Sequence, residues 1–171
     1  WAVEHFGAVP DVICTAKALG AGWPLGAAVG RRPLFTRSSR HSETFSAEPR
    51  QSLLSLFVLN EIERKGYVEN AARMGEVLLE GLKELARSHD CIGDARGLGL
   101  MCGLEIVDSK RNRKPSPAKR EAVLRAAVHG ERLMLLGAGE CTVRLLPPLN
   151  VTEGEVNEAL GRLDRALSAV S

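Results

Sequence analysis

Aromatic side chains are scarce in this sequence: one Tyr, two Trp and four Phe make up 4% of its 171 residues. That scarcity disfavours nucleic-acid recognition through interleaved basic and aromatic residues, so the basic stretch Lys110 to Arg120 reads as a solvated loop. An excess of either charge is also missing. Lys and Arg total 23 against 21 Asp and Glu, a net +2 that points to no polyanionic partner. No apolar run reaches the ~18–20 residues that a membrane-spanning helix needs. The longest uncharged stretch, Ala18 to Gly30, is broken by four glycines and a proline. Cys14, Cys91, Cys102 and Cys141 lie far apart, without a CxxC pair or a histidine at zinc-finger spacing. They read as small buried or half-buried thiols of a protein in a reducing cytoplasm, rather than as a metal site or a disulfide framework. His5, His41, His89 and His129 likewise have no metal-ligand spacing. The chain opens on Trp1, with no basic leader or small-residue cleavage site. WAVEHF reads like the middle of a protein, so the expectation is that 171 residues are less than a working unit.

What is present is globular. With 44% hydrophobic and 26% charged residues, a chain of this length buries roughly 70% of its unfolded surface. Asp11 to Thr15 (DVICT) reads as a short buried strand, and Leu25 to Val29 as a second one ending in a turn. From Pro49 to Lys65, Leu53, Leu54, Phe57, Val58 and Ile62 keep helical spacing, with Pro49 suited to a first turn. Met74, Val77, Leu78, Leu82 and Leu85 form the stripe of an amphipathic helix over roughly Val68 to Arg87. Ile92 to Ala95 and Gly99 to Val107 read as strands around a turn at Arg96-Gly97. Asp108 to Pro117 is a polar loop and Ala118 to His129 a helix. Leu133 to Leu136 and Thr142 to Leu146 are strand-like segments separated by Gly137-Ala138-Gly139. Thr152 and Glu155 form a capping box ahead of the stripe Val156, Leu160, Leu163 and Leu167. From Tyr67 onward the order helix–strand–strand–helix–strand–strand–helix suggests a small α+β or α/β lobe. The glycine-rich piece before it lacks neighbours for its sheet.

Lys17 is the only charged residue from Val12 through Gly30. A lysine set among small and apolar neighbours at the end of a buried strand loses hydration of its ammonium, and a neutral amine can attack a carbonyl. The alternative is a lysine that snorkels to solvent from a strand end, and local context leaves both open. Trp23 either lines an entrance or packs a turn.

The run Pro10-Asp11-Val12-Ile13-Cys14-Thr15-Ala16-Lys17-Ala18-Leu19-Gly20, continued by Gly22-Trp23-Pro24-Leu25-Gly26-Ala27, resembles the pyridoxal-phosphate lysine motif of the class III aminotransferases. That family includes the 4-aminobutyrate, ornithine and acetylornithine aminotransferases. The likeness extends to His41-Ser42-Glu43-Thr44-Phe45-Ser46-Ala47, to Arg96-Gly97-Leu98-Gly99-Leu100-Met101 and to Val143-Arg144-Leu145-Leu146-Pro147-Pro148-Leu149, in the family's order. The resemblance implies an α/β protein: the C-terminal part of the aspartate-aminotransferase-like fold. Residues 1–62 would be trailing strands of the large cofactor-binding domain with a linking helix, and residues 63–171 a small α+β domain. It implies pyridoxal 5'-phosphate as cofactor, amino-acid and 2-oxo-acid substrates, and a homodimer in the full-length parent. Lys17 would form the Schiff base with the cofactor and move the substrate proton. Thr44 would hydrogen-bond the cofactor phosphate, across the dimer interface. Arg144 would grip a substrate carboxylate with its planar guanidinium, in a strand where an unpaired charge is otherwise costly. An amino-acid racemase of the same family is the competing activity, and a non-catalytic small-lobe module the competing class.

The chain also departs from the family. Members are much longer, and the aspartate that pairs with the cofactor's pyridine nitrogen, the glycine-rich phosphate loop and the ring-stacking aromatic lie upstream of the part that corresponds to this chain. Glu48 stands where the family usually has asparagine, bringing a negative charge toward the expected phosphate region. The expectation is a chain that carries the lysine yet sustains no transamination alone.

Overall fold

A computed structural model describes residues 1–36 and 48–170, which form two compact units, Trp1–Lys65 and Gly66–Ser171.

In the first unit, a 3-10 turn at Ala2–Phe6 precedes β1 (Val12–Ala16). A second 3-10 turn, Lys17–Gly20, leads to β2 (Gly26–Gly30), which pairs antiparallel with β1 from Val12↔Gly30 to Ala16↔Gly26. After a third 3-10 turn at Arg32–Leu34 comes α1 (Pro49–Arg64). Glu48 caps α1 by accepting from the Gln51 N–H at 3.1 Å, and Pro49 fills the first position, where a missing N–H costs nothing. The apolar stripe expected on α1 is divided. Leu54, Val58 and Ile62 are half-buried, whereas Leu53 and Phe57 point outward. The residues that α1 does bury are Gln51 and Ser55, with Ser55 Oγ returning a hydrogen bond to Gln51 O at 3.0 Å. β1, expected as a buried strand, has an alternating exposed and half-buried pattern. Among the described residues, one face of this two-stranded sheet is partly covered and the other is open.

The second unit has a closed core. α2 (Tyr67–Ser88) starts from Gly66 at φ +62, and β3 (Ile92–Leu98), β4 (Met101–Ile106), α3 (Pro117–His129), β5 (Leu136–Ala138), β6 (Thr142–Leu145) and α4 (Glu153–Ser168) follow. The strands form an antiparallel sheet in the order β3-β4-β6-β5. Strand alternation sends Cys102, Leu104, Ile106, Val143 and Leu145 to one face, where α2 supplies Met74, Leu78 and Leu82 and α4 supplies Val156, Leu163 and Leu167. The expected capping box opens α4: Glu155 N–H donates to Thr152 Oγ1 at 3.3 Å, and Thr152 N–H to Glu155 Oε2 at 2.8 Å.

Two turns lie elsewhere than the spacing suggested. Arg96 and Gly97 belong to β3, and the chain reverses at Gly99, φ +54. Gly97 is glycine because a Cβ there would stand 2.8 Å from Met101 O on the paired strand, not because it turns. Likewise Leu133–Leu135 are outside the sheet, while Gly137 and Ala138 lie within β5 and the reversal is at Gly139, φ +53. A Cβ on Gly137 would displace the guanidinium end of Arg120 from α3, which lies over this strand position.

Candidate active site

Lys17 stands where β1 stops. Ala16 is still extended, and Lys17 itself turns into the left-handed region at φ +55. A side chain there costs on the order of 1–2 kcal/mol, and Ala21, at φ +50, closes the same turn with a second one. Gly20 between them is buried, and a Cβ on it would meet Leu25 Cβ at 3.2 Å. The tight turn thus projects the Lys17 amine from a fixed backbone. The side chain is exposed, not enclosed by apolar neighbours of this unit. Lys17, Ala18, Gly22, Trp23 and Pro24 line an open concavity of about 500 Å³. Trp23 is 57% exposed and lines the same concavity.

Arg144 lies on the sheet face of the second unit that points away from the core, in the cross-strand row Arg96–Gly103–Arg144–Leu136. The two arginines of the row are in opposite states. Arg96 donates at 2.8 Å to both Asp94 and Glu105, and these carboxylates raise its pKa further. Arg144 Nε is buried with no hydrogen-bond partner among the described residues. A buried guanidinium N–H without an acceptor is costly, and a planar guanidinium is the group that can offer a carboxylate two parallel N–H bonds. The alternation Asp94, Arg96 and Glu105 was visible in the sequence. Their pairing was not, because it needed the β3–β4 register.

Thr44 falls outside the described residues, as does His41. Lys17 and Arg144 lie in different units, so each stands on its own surroundings. Glu48 has a role that the comparison with the family's asparagine did not suggest. Its carboxylate pairs with Arg50 Nε at 2.6 Å and caps α1, and these bonds hold its pKa below the ordinary value. The basic stretch is pinned, not simply solvated: Lys110 Nζ donates to Arg87 O at 2.9 Å, Arg113 to Gly93 O at 3.2 Å and Lys119 to Asp108 O at 2.7 Å. His89 pairs with Asp164 at 2.7 Å, and no metal-binding cluster exists among the described residues. Cys91, Cys102 and Cys141 are buried, as expected of such thiols, whereas Cys14 is exposed on β1. Among the described residues, no helix is long and apolar enough to cross a membrane.

The residues present suit pyridoxal phosphate. A primary amine on a tight turn can take its aldehyde, and small residues leave room around that amine.

Comparison with known proteins agrees. The family model described as Aminotransferase class-III matches residues 1–167. The acetylornithine aminotransferase of Caldanaerobacter subterraneus subsp. tengcongensis is 36% identical over 169 residues, covering 98% of this chain and 40% of that protein. The leucine/methionine racemase of Thermococcus litoralis is 31% identical, over 99% of this chain and 39% of its own length. Among solved structures, a PLP-bound amine transaminase from an uncultivated Pseudomonas species superimposes with a TM-score of 0.89 at 29% identity, covering 98% of this chain and 40% of that one. The chain therefore spans about 40% of the length of the relatives it matches.

Proposed function

This chain belongs to the class III aminotransferases, and from that premise we propose that it supplies the lysine and the carboxylate-binding arginine of a pyridoxal-phosphate-dependent aminotransferase. The reaction moves an amino group between an amino acid and a 2-oxo acid. The observation that carries this reading is Lys17, held by a left-handed turn at the end of β1 with its side chain over an open concavity. Pyridoxal phosphate, when bound, supplies an electron sink for the bonds around the substrate's Cα. Lys17 would hold the cofactor through its amine, and the same amine, when free, would take and return the substrate's Cα proton. Arg144 would take the substrate's carboxylate on its planar guanidinium. By the family resemblance, Thr44 would offer its hydroxyl to the cofactor phosphate of the other subunit in a homodimer. Glu48 does not oppose that phosphate, because Arg50 and the first turn of α1 already engage its carboxylate. The thiols suit a reducing cytoplasm.

The chain is expected to lack turnover by itself, since the remaining 60% of the family length holds the other half of the site. The test is to combine it with the corresponding N-terminal portion of an acetylornithine aminotransferase and pyridoxal phosphate. Borohydride should then fix the cofactor on Lys17, a visible absorbance band should be absent in Lys17→Ala, and transamination should appear. Fixation on another lysine would sink the proposal, and sustained turnover by the 171-residue chain alone would refute its incompleteness. The likeness to a racemase favours one second reading, in which Lys17 returns the proton to either face of Cα. Conversion of one enantiomer without a 2-oxo acid would select it.

A further inference from the structure

The segment that leaves β6 has little means of holding itself. Pro147 and Pro148 carry no N–H, and within residues 146–151 the backbone bond formed is Val151 N–H to Pro148 O at 3.0 Å. One side chain from α2 takes two of the segment's carbonyls. Asn70 Nδ2 donates to Leu149 O at 2.8 Å and to Val151 O at 3.1 Å. Arg73, one turn further along α2, donates to Asn70 Oδ1 at 2.9 Å. Both amide hydrogens and the amide oxygen are therefore used, and only one orientation works. The flipped amide would set Oδ1 against two carbonyl oxygens and Nδ2 against a guanidinium.

Asn70 is also the next fixed point of the chain after the active-site strand. The ladder from β6 to β4 ends at Cys102↔Leu145, and β5 reaches no further than Leu136↔Arg144. Past Leu145 the sheet no longer restrains the backbone, and Arg144 sits one residue before that limit. Where the strand end settles depends on how the proline segment is tied to α2, and Val151, 7% exposed, packs into the core directly behind the tie.

We propose that Asn70 is a positioning residue for the carboxylate site: its amide ties the proline segment to α2 and so fixes the end of β6 that carries Arg144. This rests on the reading of Arg144 as the carboxylate-binding residue. Asn70→Asp tests it, because the carboxylate keeps the shape and the Arg73 contact but cannot donate to Leu149 O and Val151 O.

In the 15N-labelled full chain, the Arg144 Nε–H resonance, identified by its loss in Arg144→Lys, is titrated with 2-oxoglutarate while amide exchange is followed. Asn70→Asp should weaken 2-oxoglutarate binding at Arg144 about fivefold, the equivalent of about 1 kcal/mol. It should also shift or broaden the Nε–H resonance and speed exchange at residues 143–146 and 151, leaving β3 and the middle of β4 unchanged. Wild-type affinity, resonance and exchange in Asn70→Asp would overturn the proposal. If the wild-type resonance ignores 2-oxoglutarate, the reading of Arg144 fails. The resonance position and the exchange of Asn70→Asp then decide whether Asn70 sets the end of β6. If Asn70→Asp does not fold, Arg73→Met frees the amide orientation alone; a smaller change in the same direction supports the proposal and none overturns it.

Discussion

Leu104 on β4 and Leu53 on α1 are the same residue type in the same chain, yet Leu104 is 0% exposed and Leu53 67%. The contrast holds across the two units. The second unit encloses Leu78, Leu82, Ile106, Val123, Val143, Leu163 and Leu167 almost completely. Among its described residues the first buries no large apolar side chain, and it keeps Phe6, Trp23, Phe35, Leu56 and Phe57 in solvent. An amphipathic helix laid on an alternating four-stranded sheet has an apolar face for every apolar stripe. Two short strands and one helix do not, so the first unit offers a rigid turn and an amine without a core of its own. The proposed lysine and carboxylate-binding arginine thus stand one on an exposed surface and the other on a lobe with its own core.

The largest test of this comparison is in the core. Leu104→Ala should cost about 2–5 kcal/mol in urea unfolding, whereas Leu53→Ala should stay within about 0.5 kcal/mol. Native-state hydrogen exchange should follow the same division, with β4 and β6 amides slow and β1 and β2 amides fast. Equal losses, or protected amides in β1, would break the contrast. Glycines sharpen it next. A Cβ on Gly75 would strike the backbone of Gly99, so Gly75→Ala should destabilise by about 1–3 kcal/mol. On Gly26 in β2 it would meet Thr15 O at an ordinary 3.8 Å, and the melting temperature of Gly26→Ala should match the wild type.

Thiol chemistry comes third. Iodoacetamide should modify the exposed Cys14 in the native chain and spare Cys102 and Cys141, whose thiols burial pushes up in pKa. Peptide mapping that finds Cys102 modified as fast as Cys14 would contradict the closed core. The smallest effect treats both units alike. Glu48 caps α1 and Glu155 caps α4, and hydrogen bonds (from Arg50 and Thr152, respectively, above all) lower both carboxyl pKa values from about 4.5. A carboxyl lowered by folding stabilises above its unfolded pKa, and that contribution is lost as pH falls through the folded value. Exchange at the Gln51 and Glu155 amides should therefore be constant from pH 7 to about 5 after correction for intrinsic rates, and rise below about 4.5. A rise already at pH 6 would assign it to another group.

Much of the second unit was legible in residue spacing. The α2 stripe, the Thr152–Glu155 capping box and the element order from Tyr67 all follow from local periodicity and side-chain capping, which need no knowledge of distant residues. The misplaced turns at Arg96-Gly97 and Gly137-Ala138 have one cause. A glycine that lies inside a strand looks, in sequence, the same as a glycine required by a turn. The apolar residues of β1 and α1 misled for a related reason, since hydrophobic spacing shows which side chains seek burial and not whether a partner surface is present.

Local chemistry determined by itself which groups can react: an isolated lysine in a small-residue run, an arginine in an apolar strand, and four motifs in a shared order. Tertiary structure alone decided their state. Backbone angles, not neighbours in sequence, put Lys17 in a left-handed turn, and strand register gave Arg96 two carboxylates while leaving Arg144 Nε without an acceptor among the described residues. The reason is that conformation and pairing are set by contacts between residues far apart in the chain, whereas reactivity is carried by the side chain wherever it lies.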